Sequence, residues 1–171
     1  MKEVRVDLHS ILNRIRTCHA AEGTCEHRWQ LSGETLMVVL EPAPLQNSIL
    51  ILISLAAENV HRGGSIVIST KPMTLPLVGS EGAAGRGACI VLSVTARPVS
   101  SPKPTGRSQE TLDALREVVR KLGGCFSVSW STVDDAAFRI YLPRLLADRE
   151  VSEMEHRIRQ EPHLQRAMPG S

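Results

Sequence analysis

The stretch LQNSILILISLAAENVHRGGSIVIST, residues 45–70, determines the architecture because it joins a long apolar segment to a strand through a glycine pair. Its first part, which runs to Val60, has about 16 residues without a helix breaker. A proline ahead of this run and the pair Gly63-Gly64 behind it mark the two ends and favour a buried helix over a strand. Residues 65–70 then alternate and indicate a β-strand.

Upstream of this stretch, the sequence predicts one amphipathic helix and two short strands. Asp7, a good N-cap residue, precedes four apolar residues at helical spacing: Leu8, Ile11, Leu12 and Ile15. This spacing predicts a helix over about 7–19. His27–Leu31 and Thr35–Leu40 are expected to form two strands joined through residues 32–34.

Downstream, the sequence predicts two loops around one apolar strand. Residues 71–87 hold two prolines and four glycines and are expected to form a flexible loop. They include the glycine-rich run GSEGAAGRG, which does not match a phosphate-binding loop and precedes a strand rather than a helix. Cys89–Thr95 is very apolar and is expected to be a central strand. Residues 96–107, with three prolines, are expected to form a second exposed connection.

The sequence of the last part of the domain predicts a helix and a hairpin. Ser108 can cap a helix that ends at Gly123-Gly124, and two alternating segments, 126–130 and 138–142, predict the hairpin. Together the elements predict an α+β two-layer sandwich: a mixed sheet of about five strands with three helices on one face. We expect one domain over residues 1–145 and a charged, partly helical tail over 146–171.

Composition narrows the range of functions. The chain has 171 residues, 42% of them hydrophobic and 3% aromatic, and a net charge of +2. These values argue against disorder, and the mixed charge gives no broad footprint for nucleic acid. No apolar run reaches about 18 residues, so no membrane span is expected. The N-terminus MKEVRVDLHS lacks an apolar signal core, which favours a cytoplasmic protein.

The cysteines and histidines do not suggest a metal centre. The cysteines are far apart, form no CxxC pair and are expected to be reduced, packed thiols: Cys18, Cys25, Cys89 and Cys125. The six histidines show no HExxH pairing and are mostly expected at the surface.

Several local strings resemble the catalytic, ATP-binding domain of bacterial sensor histidine kinases, in the GHKL ATPase superfamily. Residues 4–19 look like the V-D-L helix that opens that domain, and 38–55 resemble its segment DP-x-x-L-x-x-x-L-x-N-L-L-x-N. Residues 63–70, GGSIVIST, are similar to the glycine pair and strand behind that helix. Residues 122–142 resemble the closing LGG and F-x-(I/L)-x-L-P elements, so the resemblance covers about 4–144.

The resemblance implies a Bergerat-type ATPase fold that binds ATP with Mg²⁺ for histidine autophosphorylation. It also implies two partners, the dimerisation and phosphoacceptor domain of the same kinase and a response regulator. In this family dimerisation belongs to that preceding helical domain, so this piece alone is expected to be a monomer. His9 lacks the usual acidic neighbour of a phosphorylated histidine and is not assigned that role.

The chemical motifs of the family are altered here. The two asparagines that hold magnesium and phosphate oxygens in the family align with Ile51 and Leu55, which cannot ligate a hard cation. The first glycine box, normally D-x-G-x-G, has become VTARPV, and its adenine-reading aspartate falls on Thr95 or Ala96. The second box, normally G-x-G-L-G-L, aligns with Arg107–Leu112, where no glycine remains.

Polar residues near these altered motifs are candidates for an ATP–Mg²⁺ site. Glu58 and Asn59 follow Leu55 by three and four residues, one turn along the same helix face, and can supply oxygen ligands or a base. Arg62, one turn further, can meet a phosphate. The simpler alternative for all three is a solvated helix end.

Further candidates come from the two altered glycine boxes. Gly106, Arg107 and Ser108 offer a flexible residue, a cation and a capping hydroxyl at a helix start, where phosphate often binds. An ordinary helix cap with a solvated arginine explains them as well. Thr95 can hydrogen-bond adenine at a strand end, or it can be purely structural.

Three interpretations of function remain open. The favoured one is the catalytic domain of a histidine kinase with a divergent site that still binds ATP. The second is a nucleotide-free module that docks a response regulator or phosphotransfer partner, which the apolar Ile51 and Leu55 would suit. The third is an α+β domain whose scaffold carries no information on function.

Overall fold

The computed structural model describes residues 2–19, 25–78, 84–99, 106–130 and 135–146, together with 152, 153 and 156. In chain order the elements are β1 (Val4–Asp7), α1 (Leu8–His19), β2 (Glu26–Gln30), β3 (Met37–Leu40), α2 (Pro42–Asn59), β4 (Val60–Val78), β5 (Ala84–Val99), α3 (Gly106–Lys121), β6 (Cys125–Trp130) and β7 (Ala136–Pro143).

The larger sheet has five strands in the order β2-β4-β5-β7-β6. Strand β2 runs parallel to β4, and the other neighbours are antiparallel, so the sheet is mixed. Strand β5 lies at its centre, as its apolar sequence predicted. On β5 the residues that join the helices in the core are spaced by two: Ile90, Leu92, Val94 and Ala96. One face of the sheet therefore carries the helix layer, and the predicted α+β sandwich is confirmed.

Helix α2 fills the centre of the helix layer. It begins at Pro42, three residues ahead of the predicted start at Leu45, because a proline fits the first turn of a helix. The buried residues on several sides of α2 are Leu45, Ser48, Ile49, Leu52, Ile53, Leu55 and Ala56. A helix that is apolar over most of its circumference must be covered on most sides. The predicted buried helix is confirmed.

Helix α1 has the N-cap that the sequence predicted. The Asp7 carboxylate accepts hydrogen bonds from the backbone N–H groups of His9, at 3.2 Å, and Leu36, at 3.3 Å. The residues ahead of it were not predicted as a strand, but Val4–Asp7 forms β1 and pairs antiparallel with β3. The two strands predicted after α1 are present as β2 and β3, and they lie in different sheets: β2 joins β4 and β3 joins β1.

The predicted loop over 71–87 is wrong for most of its length. Strand β4 continues to Val78 and β5 begins at Ala84, which makes a long antiparallel ribbon. Pro72 and Pro76 stand four residues apart, so their nitrogens face the same edge of β4. The last β4 residue paired with β2 is Ser69, so at the prolines β4 has one edge without a described strand partner, and edge strands tolerate proline.

The second predicted connection, 96–107, is wrong at both of its ends. Ala96 is fully buried and still belongs to β5, which runs to Val99, and helix α3 begins at Gly106 rather than Ser108. Residues 100–105 lie outside the described part of the chain. The short apolar side chain of Ala96 lets it continue the strand between Ile66 and Ala136.

The end of the domain follows the prediction. Helix α3 ends at Lys121. Gly123 follows it with a φ of 79°, the left-handed conformation expected behind a helix. Strands β6 and β7 then pair as a hairpin. Within the proposed tail, residues 152, 153 and 156 are helical, residue 146 belongs to no helix or strand, and the others lie outside the described residues. None of the described helices is long and apolar enough to cross a membrane.

The cysteines differ in their surroundings, and all four are free thiols. Cys89 is buried and Cys25 half-buried, but Cys18 and Cys125 are exposed, so the expectation of packed thiols is wrong for these two.

Candidate functional site

A cleft of about 380 Å³ opens between α2 and α3. Helix α2 contributes Leu50, Ile51, Ser54, Leu55 and Glu58 to its lining, and α3 contributes Ser108 and Thr111. Its volume is in the range of small-molecule sites in proteins, and its walls combine apolar side chains with a few polar groups, as such sites do.

The α2 wall follows from helical spacing. Ile51, Leu55 and Glu58 stand four and then three residues apart, so they form one stripe along the helix. The three side chains differ in exposure. Leu55 is 7% exposed and lies at the floor of the cleft, whereas Ile51, at 40%, and Glu58 are exposed at its rim. The wall therefore presents aliphatic carbon along the cleft and one carboxylate near the end of the helix.

The α3 wall is polar where α2 is apolar. Ser108 and Thr111 are three residues apart and half-buried, and both line the cleft. One residue further on, Leu112 turns into the core and anchors this side of the helix. The backbone of Gly106 and Arg107 forms the first turn of α3, and the side chain of Arg107 lies outside the described part.

Asn59 lies beneath the cleft rather than in it. Its side-chain amide donates a hydrogen bond to the Leu55 carbonyl at 2.6 Å, which closes the last turn of α2. It lines a narrow gap with Trp130 and Phe138 that leaves no room for a water molecule. Those two rings meet edge to face, with centroids 5.9 Å apart, and form a packed floor under Leu55.

Thr95 lies on the other face of the sheet. Its neighbours on β5, Val94 and Ala96, are fully buried in the core that the helices cover. Successive side chains of a strand point to opposite faces, so Thr95 is directed away from the helix layer. The structure therefore does not bring Thr95 to the cleft.

The structure thus joins Glu58 and Ser108 in one cleft, places Asn59 in a narrow gap that Ser108 also lines, and directs Thr95 to the other face of the sheet. Arg62 lies in β4, and its side chain is outside the described part of the chain. Sequence reasoning missed Leu50, Ser54 and Thr111. Helical spacing could have predicted the two polar residues. Ser54 precedes Glu58 by four residues and Thr111 follows Ser108 by three, so each shares a helix face with a candidate.

The described lining of the cleft contains oxygen atoms of the kind that bind hard metal ions. The Glu58 carboxylate and the hydroxyl oxygens are hard donors of the kind that Mg²⁺ prefers. Magnesium sites of nucleotide enzymes often use only one or two carboxylates and complete the shell with phosphates and water. The donor set therefore fits a magnesium ion that arrives with a phosphate ligand, but it is too sparse to hold the ion alone.

No family model matches this sequence, and no curated protein matches it significantly. Several solved structures match this chain. The mycobacterial sensor histidine kinase MprB gives a TM-score of 0.60 at 17% identity, over 85% of this chain and 99% of that one. The histidine kinase domain of the E. coli osmosensor EnvZ gives 0.60 at 14% identity, over 86% and 92% of the two chains.

A third structure shows a related kinase with its partner. Histidine kinase ThkA in complex with the response regulator TrrA gives a TM-score of 0.62 at 14% identity, over 84% of this chain and 42% of that one. At such low identity these likenesses establish the fold alone. The chain has the fold of the catalytic domains of sensor histidine kinases, as the resemblance in its sequence implied.

Proposed function

We propose that this chain is the catalytic domain of a two-component sensor histidine kinase that binds ATP with Mg²⁺ and supplies the phosphoryl group for histidine autophosphorylation. The observation that supports this proposal is the lining of the cleft. Ile51 and Leu55, which align with the asparagines of the family, face Ser108 and Thr111 from the altered second glycine box. Two segments far apart in the chain thus border one cleft of suitable size.

Glu58 is the residue that we assign to the metal. Phosphoryl transfer depends on positioning and on neutralising charge, which Mg²⁺ supplies when it is bound with the nucleotide. The Glu58 carboxylate stands at the rim, where it can ligate the ion or orient a water molecule. Ser108, at the start of α3, can donate its hydroxyl to a phosphate oxygen near the positive end of the helix dipole.

The apolar lining sets the expected affinity. Ile51 and Leu55 offer no ligand where the family has two amides, so the metal and phosphates lose protein donors. Aliphatic carbon from these residues and Leu50 remains available to cover the nucleoside. We therefore expect weak binding of ATP with a strong requirement for magnesium.

The partners of the proposed kinase follow from the same assignment. They are the phosphoacceptor domain of the same kinase and a response regulator, of which the complex of ThkA with TrrA is an example in a protein of this fold. We place the domain in the cytoplasm of a bacterium and expect it to be a monomer in isolation.

The proposal is tested by titration of the protein with a fluorescent ATP analogue, with and without magnesium. We expect saturable binding at millimolar or lower nucleotide that disappears when the metal is chelated. Absence of saturable binding at millimolar nucleotide would support the docking module, which the 40% exposure of Ile51 would then serve.

The role of Glu58 is tested in the same protein by hydrolysis assays. Glu58→Ala is expected to abolish hydrolysis while it weakens binding less, because the carboxylate acts on the metal rather than on the nucleoside. Glu110→Ala is the matched control, since Glu110 is an exposed carboxylate of α3 outside the described cleft lining. Unchanged turnover in Glu58→Ala would remove Glu58 from the mechanism.

A further inference from the structure

We infer that the outer face of the five-stranded sheet, which is the face opposite the helices, binds an acidic segment of a partner protein. This surface is separate from the cleft, and its role goes beyond the proposed function. The inference comes from the charge of the five strands, from two cations of this face that pair with no described acid, and from the side chains around one of them.

The strands of this sheet are poor in acidic residues. They make up about a third of the chain and hold six of its 20 Lys and Arg residues, but only one of its 18 Asp and Glu residues, Glu26. Glu26 pairs with Arg28 at 2.9 Å, and Arg97 pairs at 2.8 Å with Asp135, which precedes β7. Strand alternation directs both arginines to the outer face, so these two cations are compensated there.

Arg139 and Lys71 are cations of the same face without such compensation in the described part of the chain. Arg139 stands between Phe138 and Ile140, which are buried in the core, so its side chain is directed outward. Its guanidinium donates one hydrogen bond, to the Ser129 hydroxyl at 2.8 Å, and forms no ion pair with a described residue. Lys71 of β4 is exposed and forms none either. Since a guanidinium has five N–H donors, Arg139 retains donors for a ligand.

Hydroxyl side chains flank Arg139 on both sides. Ser93 of β5 and Ser127 of β6 are its direct register partners, and Ser69 of β4 lies opposite Ser93. Side chains at such positions are about 5 Å apart. The three serines are half-buried and make no side-chain hydrogen bond to a described residue. A carboxylate on the guanidinium can accept further hydrogen bonds from these hydroxyls, which strengthens a charge-assisted pair.

Tyr141 extends this surface along β7. It stands two residues beyond Arg139 on the same face, is half-buried, and lies opposite Val91 of β5 and Cys125 of β6. Tyrosine and arginine are among the residue types that contribute most to the binding energy of protein interfaces. Their combination with polar and apolar neighbours is typical of a protein–protein surface.

The number of cations favours an acidic peptide over nucleic acid or a membrane. Specific DNA binding often involves about 6–10 phosphate contacts, and binding to anionic lipids uses clusters of about 4–8 Lys and Arg residues. The uncompensated cations described on this face are Arg139 and Lys71 alone. A guanidinium matches the planar carboxylate through two parallel N–H groups. We therefore assign the face to a segment with closely spaced Glu or Asp residues.

The test is binding of fluorescein-labelled hexaglutamate to the full chain at low salt, measured by fluorescence anisotropy, with hexaglutamine as the uncharged probe. We expect saturable binding of hexaglutamate at millimolar concentration or below and none of hexaglutamine. Arg139→Gln should weaken binding about tenfold or more, as expected for the loss of hydrogen bonds to a charged group. Arg28→Gln is the matched control, because it removes the same charge from the same face. Arg28 is exposed and already paired, so its loss should change the affinity by less than about twofold.

Two further measurements locate the bound peptide. Arg139→Lys keeps the charge without the planar fork and should still lose about threefold or more in affinity. Amide chemical shifts of the ¹⁵N-labelled chain should change on the outer face at Ser93, Ser127 and Arg139. Both measurements remain informative if Arg139→Gln is too unstable to assay.

Several outcomes would overturn the inference, and none of them depends on ATP binding in the cleft. Equal losses in Arg139→Gln and Arg28→Gln would show that net charge alone attracts the peptide. Full affinity in Arg139→Lys, shift changes confined to the α2–α3 cleft, or no saturable binding at millimolar hexaglutamate would also contradict it. Tighter binding of duplex DNA or of phosphatidylserine vesicles, lost in Arg139→Gln, would assign the face to a phosphate-bearing partner instead.

Discussion

The hydroxyl of Thr70 links three parts of the molecule at the scale of one residue. It accepts a hydrogen bond from the Ser32 backbone N–H at 2.9 Å and contacts Nε2 of His9 at 3.0 Å. Thr70 itself is only 6% exposed, so these groups have little access to water as a substitute. The hydroxyl thereby ties α1 and the segment after β2 to strand β4.

Thr70→Val is expected to lower the free energy of unfolding by about 1–3 kcal/mol, because it leaves the Ser32 N–H without its acceptor. Thr70→Ser keeps the hydroxyl and should recover much of the loss. Thr74→Val is the control, since Thr74 lies exposed on the same strand and should change stability by less than about 0.5 kcal/mol. Urea unfolding measures all three, and equal stability of Thr70→Val and the parent would contradict the role of the hydroxyl.

The thiols are expected to react at different rates. Burial raises the pKa of the Cys89 thiol, so less of the reactive thiolate is present near neutral pH, and the side chain is also shielded from the reagent. Desolvation likewise raises the pKa of Cys25. Cys18 and Cys125 are exposed and should react first with a disulfide reagent at pH 8.

Mass spectrometry after timed labelling identifies which thiols have reacted, and Cys18→Ser and Cys125→Ser confirm the fast pair. Raising the pH well above 8 should accelerate the labelling of Cys89, since burial raises the pKa of its thiol. Labelling in guanidinium should make all four equal. Fast labelling of Cys89 in the folded protein would show that β5 is less protected than its burial indicates.

At the scale of elements, the junction between α3 and β6 depends on a close approach of backbone. A Cβ added at Gly124 would clash with the Tyr141 carbonyl oxygen of β7, and it would lie 3.2 Å from a methyl group of Val119. Only a residue without a side chain lets α3 turn this tightly into the hairpin. Gly123 at the same junction has the positive φ, so the two glycines serve different purposes.

Gly124→Ala is expected to lower the free energy of unfolding by about 3 kcal/mol, because the clash is with backbone that belongs to a paired strand and cannot move aside. Gly33→Ala is the matched control: a Cβ there meets nothing within 4 Å. It should change stability by less than about 0.5 kcal/mol. Thermal unfolding of both variants is the measurement, and a stable Gly124→Ala would mean that the junction is looser than described.

The helices could be predicted from the sequence because their signals are local. The repeat of apolar residues behind Asp7 gave α1 together with its cap, and a long apolar run between breakers gave α2. The β4–β5 ribbon could not be predicted, because Pro72, Pro76 and the glycines are typical of loops. Their tolerance depends on which edge of β4 has a partner, and that is known only once the sheet is assembled.

The candidate site was predictable only in part for the same reason. Helical spacing placed Glu58 one turn beyond Leu55, but which face of α3 meets that stripe depends on tertiary packing. Thr95 illustrates the limit most clearly. A shift of one residue in a strand reverses the face of the sheet, and the altered motif left either Thr95 or Ala96 at the aspartate position. In the structure Ala96 is buried in the core, so Thr95 is directed to the other face of the sheet.

At the scale of the whole molecule, the residues after β7 join the two sheets. The Arg144 N–H donates to the Ala88 carbonyl of β5 at 3.0 Å, and the Leu145 N–H donates to the Met37 carbonyl of β3 at 2.8 Å. The Arg144 guanidinium also pairs with Glu34 at 3.1 Å, and its side chain is only 10% exposed. This short segment therefore connects the five-stranded sheet to the small sheet that carries the start of α1.

Two truncations test whether the folded unit ends here, as the proposed boundary at residue 145 requires. A chain that stops after Pro143 loses both backbone hydrogen bonds and the partly buried ion pair. We expect its free energy of unfolding to fall by about 2–3 kcal/mol. For a domain of this size that corresponds to a fall of roughly 5–10 °C in Tm. A chain that stops after Leu146 keeps these contacts and should unfold within about 2 °C of the full chain. Calorimetry compares the three proteins directly. A large loss in the Leu146 truncation would place part of the tail inside the cooperative unit, whereas equal stability of all three would mean that the segment after β7 does not hold the sheets together.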